Sequence, residues 1–155
     1  GEPIFEWNKI PLSKDMDCSS IEINIKNQGS FNGYSLSVGN PHIIFFEEME
    51  TTKLKIVGPA IEHHNYFPER CNVTFAKVLD KENIRIKVWE RGAGLTKACG
   101  TGACATAIAS NKKGLTNRLV HIHFDSGKLT INWKSDNRIY MTGPVSEIQE
   151  VNIEI

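Results

Sequence analysis

Along SIEINIKN, Ile21, Ile23 and Ile25 alternate with polar residues, the period-two pattern of a strand with one buried face. The turn NQGSFNG then leads into a second strand, YSLSVGN, and HIIFFE is a more fully buried run. CNVTFAKVLD and IRIKVWER are separated by KEN and predict a hairpin. LVHIHFD, KLTINWK and RIYMTG add three strands joined through SG and SDN turns, and GEPIFEW at the start also reads as a strand. Helical segments are fewer. PAIEHH, with Gly58 before Pro59, predicts a short helix with proline in its first turn. A longer helix is expected from about Gly100 to Lys113, stopping at Gly114. It carries Ala103, Ala105, Ala107, Ile108 and Ala109 and little charge before Lys112, so protein should surround it. The expected fold is α+β, a mainly antiparallel sheet curled as a barrel around one central helix. At 155 residues the chain fits a single domain.

Charge removes several function classes. Eighteen basic and eighteen acidic residues cancel, so no global field favours nucleic acid or a membrane surface. The longest apolar runs, such as Ile43 to Phe46, are far too short to span a bilayer. No charged-then-apolar leader is present, and the chain opens at Gly1. Cys18, Cys71, Cys99 and Cys104 form no CxxC pair, which suits reduced thiols in a cytoplasmic protein. His121 and His123 share a strand face, but no carboxylate or cysteine at ligand spacing accompanies them, and no metal is expected. The adjacent His63 and His64 suit a solvated helix end.

The segment TKACGTGACATAIAS carries the chemistry. Cys99 falls where the alanine-rich helix begins, beside backbone N–H groups that lack helical acceptors and at the positive end of the macrodipole. A thiolate is favoured there, so a lowered pKa is expected for Cys99. The N–H groups of Gly100, Thr101 and Gly102 also offer an anion cradle. Cys104, about 140° further round the helix, points elsewhere and reads as a small buried hydrophobe. Judged on this stretch alone, Cys99 is equally a core thiol or a functional one.

Its surroundings decide between them. WERGAGLTKACGTGACATA resembles the most specific motif of the diaminopimelate epimerases, in their C-terminal half. GEPIFEWNKIPL, VGNPHIIFF, YFPERCNVTF and YMTGPV resemble further segments of that family in the same order. The resemblance implies a cofactor-independent epimerase of L,L-2,6-diaminopimelate that uses two opposed cysteines, without pyridoxal phosphate or any other cofactor, in lysine and peptidoglycan synthesis. By resemblance, Cys99 is the second-half cysteine, Glu90 meets the reacting ammonium group, and His42 is the histidine near the thiol pair. Asn40, Asn72 and Arg91 would bind the distal carboxylate, and Gly100 and Thr101 the α-carboxylate through backbone N–H groups. Because Glu90 and Arg91 are adjacent, a regular strand would point them to opposite faces, so irregularity or use of both faces is expected there.

The family carries two pseudo-equivalent domains, and no second glycine-rich helix start occurs in these 155 residues. Residues 1–155 are therefore expected to be the C-terminal domain of a two-domain epimerase, with the missing N-terminal domain as partner. A homodimer is compatible with this reading; nucleic acid and membrane are not expected partners. Two alternatives stand beside it: a proline racemase-like enzyme of the same fold, and a non-catalytic binding or assembly domain. Glu90-Arg91 and the two asparagines, Asn40 and Asn72, suit a substrate with a second carboxylate and weigh against the first of these.

Overall fold

The computed structural model describes residues 2–146 and 149–154. Its strands are β1 (Ile21–Ile25), β2 (Gly29–Ser37), β3 (Pro41–Phe45), β4 (Asn72–Asp80), β5 (Asn83–Glu90), β6 (Gly94–Thr96), β7 (Leu119–Phe124), β8 (Gly127–Trp133), β9 (Ile139–Ser146) and β10 (Gln149–Glu154). Helix α1 (Thr51–Glu62) follows β3, and α2 (Gly100–Lys112) follows β6. The strands form one sheet in the order β1-β2-β3-β4-β5-β7-β8-β9-β10, with β6 paired to the C-terminal end of β5. Pairing is antiparallel except between β3 and β4 and between β5 and β7. Parallel neighbours need a crossover, and each helix lies within one of these two crossovers.

Strand alternation sorts side chains between the helices. Ile21, Ile23, Phe31, Ile43, Phe45, Val73 and Phe75 pack with Leu54, Val57 and Ile61 of α1. Leu36, Ile44, Ala76, Ile84, Ile86, Val88, Val120, Ile122 and Ile131 pack with Ala103, Cys104, Ala107 and Ile108 of α2. β3 lies between both groups, which is why all five of its residues are buried. On the α1 side, Phe45 stacks on Phe75 with ring centroids 4.9 Å apart. Helix α2 is buried at every position from Gly102 to Ser110 and touches β2, β3, β4, β7, β8 and β9. The α+β class and the helix enclosed by sheet are as expected. The sheet does not close, however: β1 packs on α1 whereas β8 and β9 pack on α2, so different helices draw its ends apart.

Two local expectations need correction. The first helix starts at Thr51, and Pro59 lies inside it rather than in its first turn. Leu54, Val57, Gly58 and Ile61 form a buried stripe at helical spacing, and that burial outweighs the bond lost at Pro59. The carbonyl deprived of its donor belongs to exposed Lys55, where water reaches it. Of GEPIFEW, Gly1 lies outside the described residues, and the remainder makes one bridge, Ile4 with Ser37, instead of a strand. Neither helix is long and apolar enough to cross a membrane.

Truncation at Ile108, which is fully buried, should cost about 2–5 kcal/mol as Ile108→Ala. Ile56 on α1 is 54% exposed, and Ile56→Ala should change stability by no more than about 0.5 kcal/mol. Urea unfolding of both variants separates the two cases.

Candidate active site

The chemistry-bearing residues gather at one end of the sheet. In the parallel β3–β4 register His42 lies opposite Asn72. By alternation both belong to the α2 side, His42 with Ile44 and Asn72 with Ala76. Along β5 the even positions Ile84, Ile86 and Val88 face α2, so Glu90 turns towards the start of α2 while Trp89 turns towards α1. β5 ends at Glu90, and the Ala93 N–H donates to the Glu90 carbonyl at 3.1 Å, which places Arg91 in a turn. Adjacent Glu90 and Arg91 therefore diverge without any irregularity in the strand.

Cys99 caps α2 with its own sulfur, which accepts the Gly102 N–H at 3.3 Å. A chain of contacts runs from that sulfur. The Thr101 hydroxyl lies 3.7 Å from Cys99 Sγ, Asn40 Nδ2 donates to Thr101 Oγ1 at 3.3 Å, and His42 Nε2 donates to Asn40 Oδ1 at 2.9 Å. Because a carbonyl oxygen only accepts, His42 carries its proton on Nε2. Its Nδ1 is buried with no hydrogen-bond partner among the described residues. The Asn72 side chain is internal: Nδ2 donates to the Pro41 carbonyl at 3.1 Å and Oδ1 accepts the Arg91 N–H at 2.8 Å. Gly100 and Thr101, the first two residues of α2, present N–H groups that have no acceptor within the helix.

Arg91 is exposed, with Nη1 donating to the Glu69 carbonyl at 3.3 Å. Together with Asn40, Pro41, Glu69 and the segment Asn8 to Pro11 it lines a pocket of about 290 Å³. Wider grooves of about 540 and 600 Å³ lie elsewhere and contain none of the candidate residues. The structure thus brings Cys99, Thr101, Asn40 and His42 into contact, sets Glu90 against the sulfur and holds Arg91 over the pocket through Asn72. From sequence only the backbone of Thr101 was expected to act; its hydroxyl is the added member, and its place two residues after the cysteine was the available signal.

The expected lowering of the Cys99 pKa is not found. Burial pushes the thiol up, and the Glu90 carboxylate, near enough to take the S–H as a hydrogen bond, adds to the rise. The Gly102 N–H and the Thr101 hydroxyl act in the opposite direction without overcoming it. Cys99 is only 4% exposed, and a helix terminus contributes about 0.3–1 kcal/mol, less than the cost of desolvating a thiolate at such a site. Cys104 is fully buried and its thiol is pushed up to about 12. Cys71 belongs to the α1-side core and is pushed up by burial, while Cys18 is half-buried with its thiol directed at the Met16 carbonyl. Burial, helped by the Arg91 charge, lowers the His42 pKa to about 3. His121 and His123 are bonded separately, to Thr130 and Asn83.

Site-resolved alkylation should modify Cys99 ahead of Cys104, with the Cys99 rate still climbing above the ordinary thiol range. Glu90→Gln should move that rise to lower pH, because the carboxylate that opposes ionisation is gone. The imidazole gives a second expectation. An unfolded chain protonates His42 near 6.5, whereas the folded chain resists down to about 3. Stability should therefore be complete above pH 6.5 and fall on acidification towards pH 3, by up to about 1.4 kcal/mol per pH unit from this group. Denaturant titrations across that range should be flatter for His42→Gln.

Residues 34–148 match the family model described as diaminopimelate epimerase. The diaminopimelate epimerase of Pelagibacter ubique is 50% identical, covering 100% of this chain and 58% of the relative. That of Caulobacter vibrioides (strain NA1000 / CB15N) is 43% identical over 94% of this chain and 53% of its own length. The chain thus spans about half the length of these curated relatives. Among solved structures, a hydroxyproline epimerase from Agrobacterium vitis aligns with 99% of this chain and 46% of its own (TM-score 0.59, 12% identity). A phenazine biosynthesis protein of the PhzF family from Enterococcus faecalis aligns with 70% of this chain and 39% of its own (TM-score 0.54, 15% identity). At these identities the structural likeness is one of fold. The sequence matches go further, and the chain belongs to the diaminopimelate epimerase family.

Proposed function

We propose that residues 1–155 form the C-terminal domain of a cytoplasmic epimerase that interconverts L,L- and meso-2,6-diaminopimelate in lysine and peptidoglycan synthesis. The observation that carries this reading is Cys99 at the start of α2, with Glu90 against its sulfur and a separate polar pocket under Arg91 and Asn40. A thiol at one place and a separate basic pocket at another suit a substrate with one reacting amino-acid centre and a second, distal carboxylate. Arg91 supplies the fork for that carboxylate, with Asn40 beside it; Asn72, itself buried, fixes the backbone of Arg91.

At the reacting carbon a base on one face removes the α-proton, and the electron pair of the broken C–H bond spreads into the α-carboxylate. The N–H groups of Gly100 and Thr101 meet that charge without having to reorganise. Cys99, held protonated by burial and Glu90, delivers its proton from the opposite face and forms the new C–H bond. The thiolate left behind accepts from Gly102 and Thr101, and Glu90 balances the ammonium group. His42, neutral and fixed through Asn40, borders the same chain of contacts. In the reverse direction Cys99 is the base. The opposing cysteine comes from the other half of the protein, so this chain holds half of an active site.

The test is hydrogen exchange at the α-carbon of L,L-diaminopimelate in deuterated water, followed by stereochemical analysis. A complete two-domain enzyme containing this chain should give exchange with inversion, whereas residues 1–155 alone should give no inverted product at a comparable rate. Turnover of proline in place of diaminopimelate would support the racemase alternative and overturn this one. In the complete enzyme Arg91→Lys keeps the charge but loses the fork, and should weaken substrate binding by about 1.5–3 kcal/mol. An unchanged Michaelis constant and turnover would remove Arg91 from the site.

A further inference from the structure

Glu62 ends α1 and is 4% exposed, an acid buried at the helix end where the macrodipole disfavours negative charge. Its two carboxylate oxygens do separate work. Oε1 accepts the indole N–H of Trp89 at 2.9 Å, and Oε2 accepts the backbone N–H of Gly92 at 3.0 Å. Trp89 immediately precedes Glu90, and Gly92 immediately follows Arg91. One side chain therefore grips the chain on both sides of that pair. Arg70 and His63 approach the carboxylate only to 3.9 and 3.8 Å, and both are largely exposed.

The indole is fixed from a second direction. A Cβ added at Gly58 would lie 2.6 Å from Trp89 Cγ, so only glycine lets the ring lie flat against α1. On the far side of the turn, Asn72 Oδ1 holds the Arg91 N–H. With Trp89 bound to α1 and Arg91 bound to β4, the direction in which Glu90 leaves β5 is determined.

We propose that Glu62 is a positioning residue for Glu90 and Arg91, holding their turn so that Glu90 reaches Cys99 while Arg91 stays over the pocket. This rests on the epimerase reading for its catalytic consequence, but its structural part stands apart from substrate. Glu62→Gln is the nearly isosteric probe. It keeps one acceptor and turns an amide NH₂ towards either the indole or the Gly92 N–H, so one of the two bonds is lost.

In the complete two-domain enzyme, Glu62→Gln should lower kcat/KM for diaminopimelate by about 10- to 100-fold, the range for one buried donor left unpaired. Both kcat and KM should change, because Glu90 and Arg91 move together. Site-resolved alkylation of Cys99 needs no substrate and supplies the independent readout. If Glu62 holds Glu90 against the sulfur, the variant's Cys99 rate profile shifts to lower pH while Cys104 stays unreactive. Loss of turnover by the wild-type enzyme would count against the epimerase reading and leave the alkylation result intact. Unchanged kinetics with an unchanged Cys99 profile would overturn the role of Glu62. So would a fall in kcat matched by the loss of folded protein, with KM and the Cys99 profile of the folded fraction unchanged. Should Glu62→Gln fail to fold, Trp89→Phe removes the Oε1 bond alone. The same profile should then shift in the same direction, and an unshifted one would overturn the proposal.

Discussion

A helix with no solvent face fixes the rest of this domain. From Gly102 to Ser110 every residue of α2 is buried, and the side chains that permit this are alanine, glycine, serine and threonine, with Cys104 and Ile108. Small residues let six strands come close, and buried hydroxyls must then be satisfied locally. Thr106 returns its hydroxyl to the Gly102 carbonyl, and Ser110 bonds the Ala107 carbonyl and Thr116. Enclosing the helix also encloses its first turn, which is how Cys99 comes to lie in a dry setting.

That dryness sets the chemistry of the thiol. A helix terminus is usually invoked to make a cysteine more acidic, but here desolvation and a neighbouring carboxylate outweigh the terminus. The result is a proton held on sulfur with two donors already aimed at the charge its departure creates. Under the proposed epimerisation, in which Cys99 gives a proton in one direction and takes it back in the other, this balance serves better than a permanently ionised thiolate. The neutral, buried His42 follows the same logic: in a dry corner the uncharged form is the one the fold supports.

Much of this was legible in the sequence, for identifiable reasons. β1, the β4–β5 hairpin and the first three of the four strands after α2 carry strand patterns between turn residues, and the alanine-rich helix announces its own burial. The motif around Cys99 names its neighbours. What failed did so where tertiary context overrides local signals. Pro59 reads as a helix start, yet the stripe Leu54, Val57, Gly58 and Ile61 extends α1 eight residues upstream. The two parallel pairings, the three-residue β6 and the open sheet depend on which helix each edge packs against, and no local pattern encodes that. Glu62 was hidden in PAIEHH, read as part of a short helix ending in water, because nothing local says that Trp89 and Gly92 will be waiting for its carboxylate. The thiol pKa was misjudged because burial depth is invisible in a fifteen-residue window.

The parallel pairing of β3 with β4 has a consequence for how this corner comes into being. Asn72 bonds Pro41 across 31 residues of sequence, and Asn40 reaches Thr101 across 61. The hairpins β4–β5 and β7–β8 close over a few residues each, whereas these contacts require long loops to be closed before any bond repays the lost entropy. The fold's local parts can thus exist while the corner around Cys99 does not. The raised pKa of that thiol then reports on the completed fold, and a chain stalled with its hairpins formed carries an ordinary cysteine.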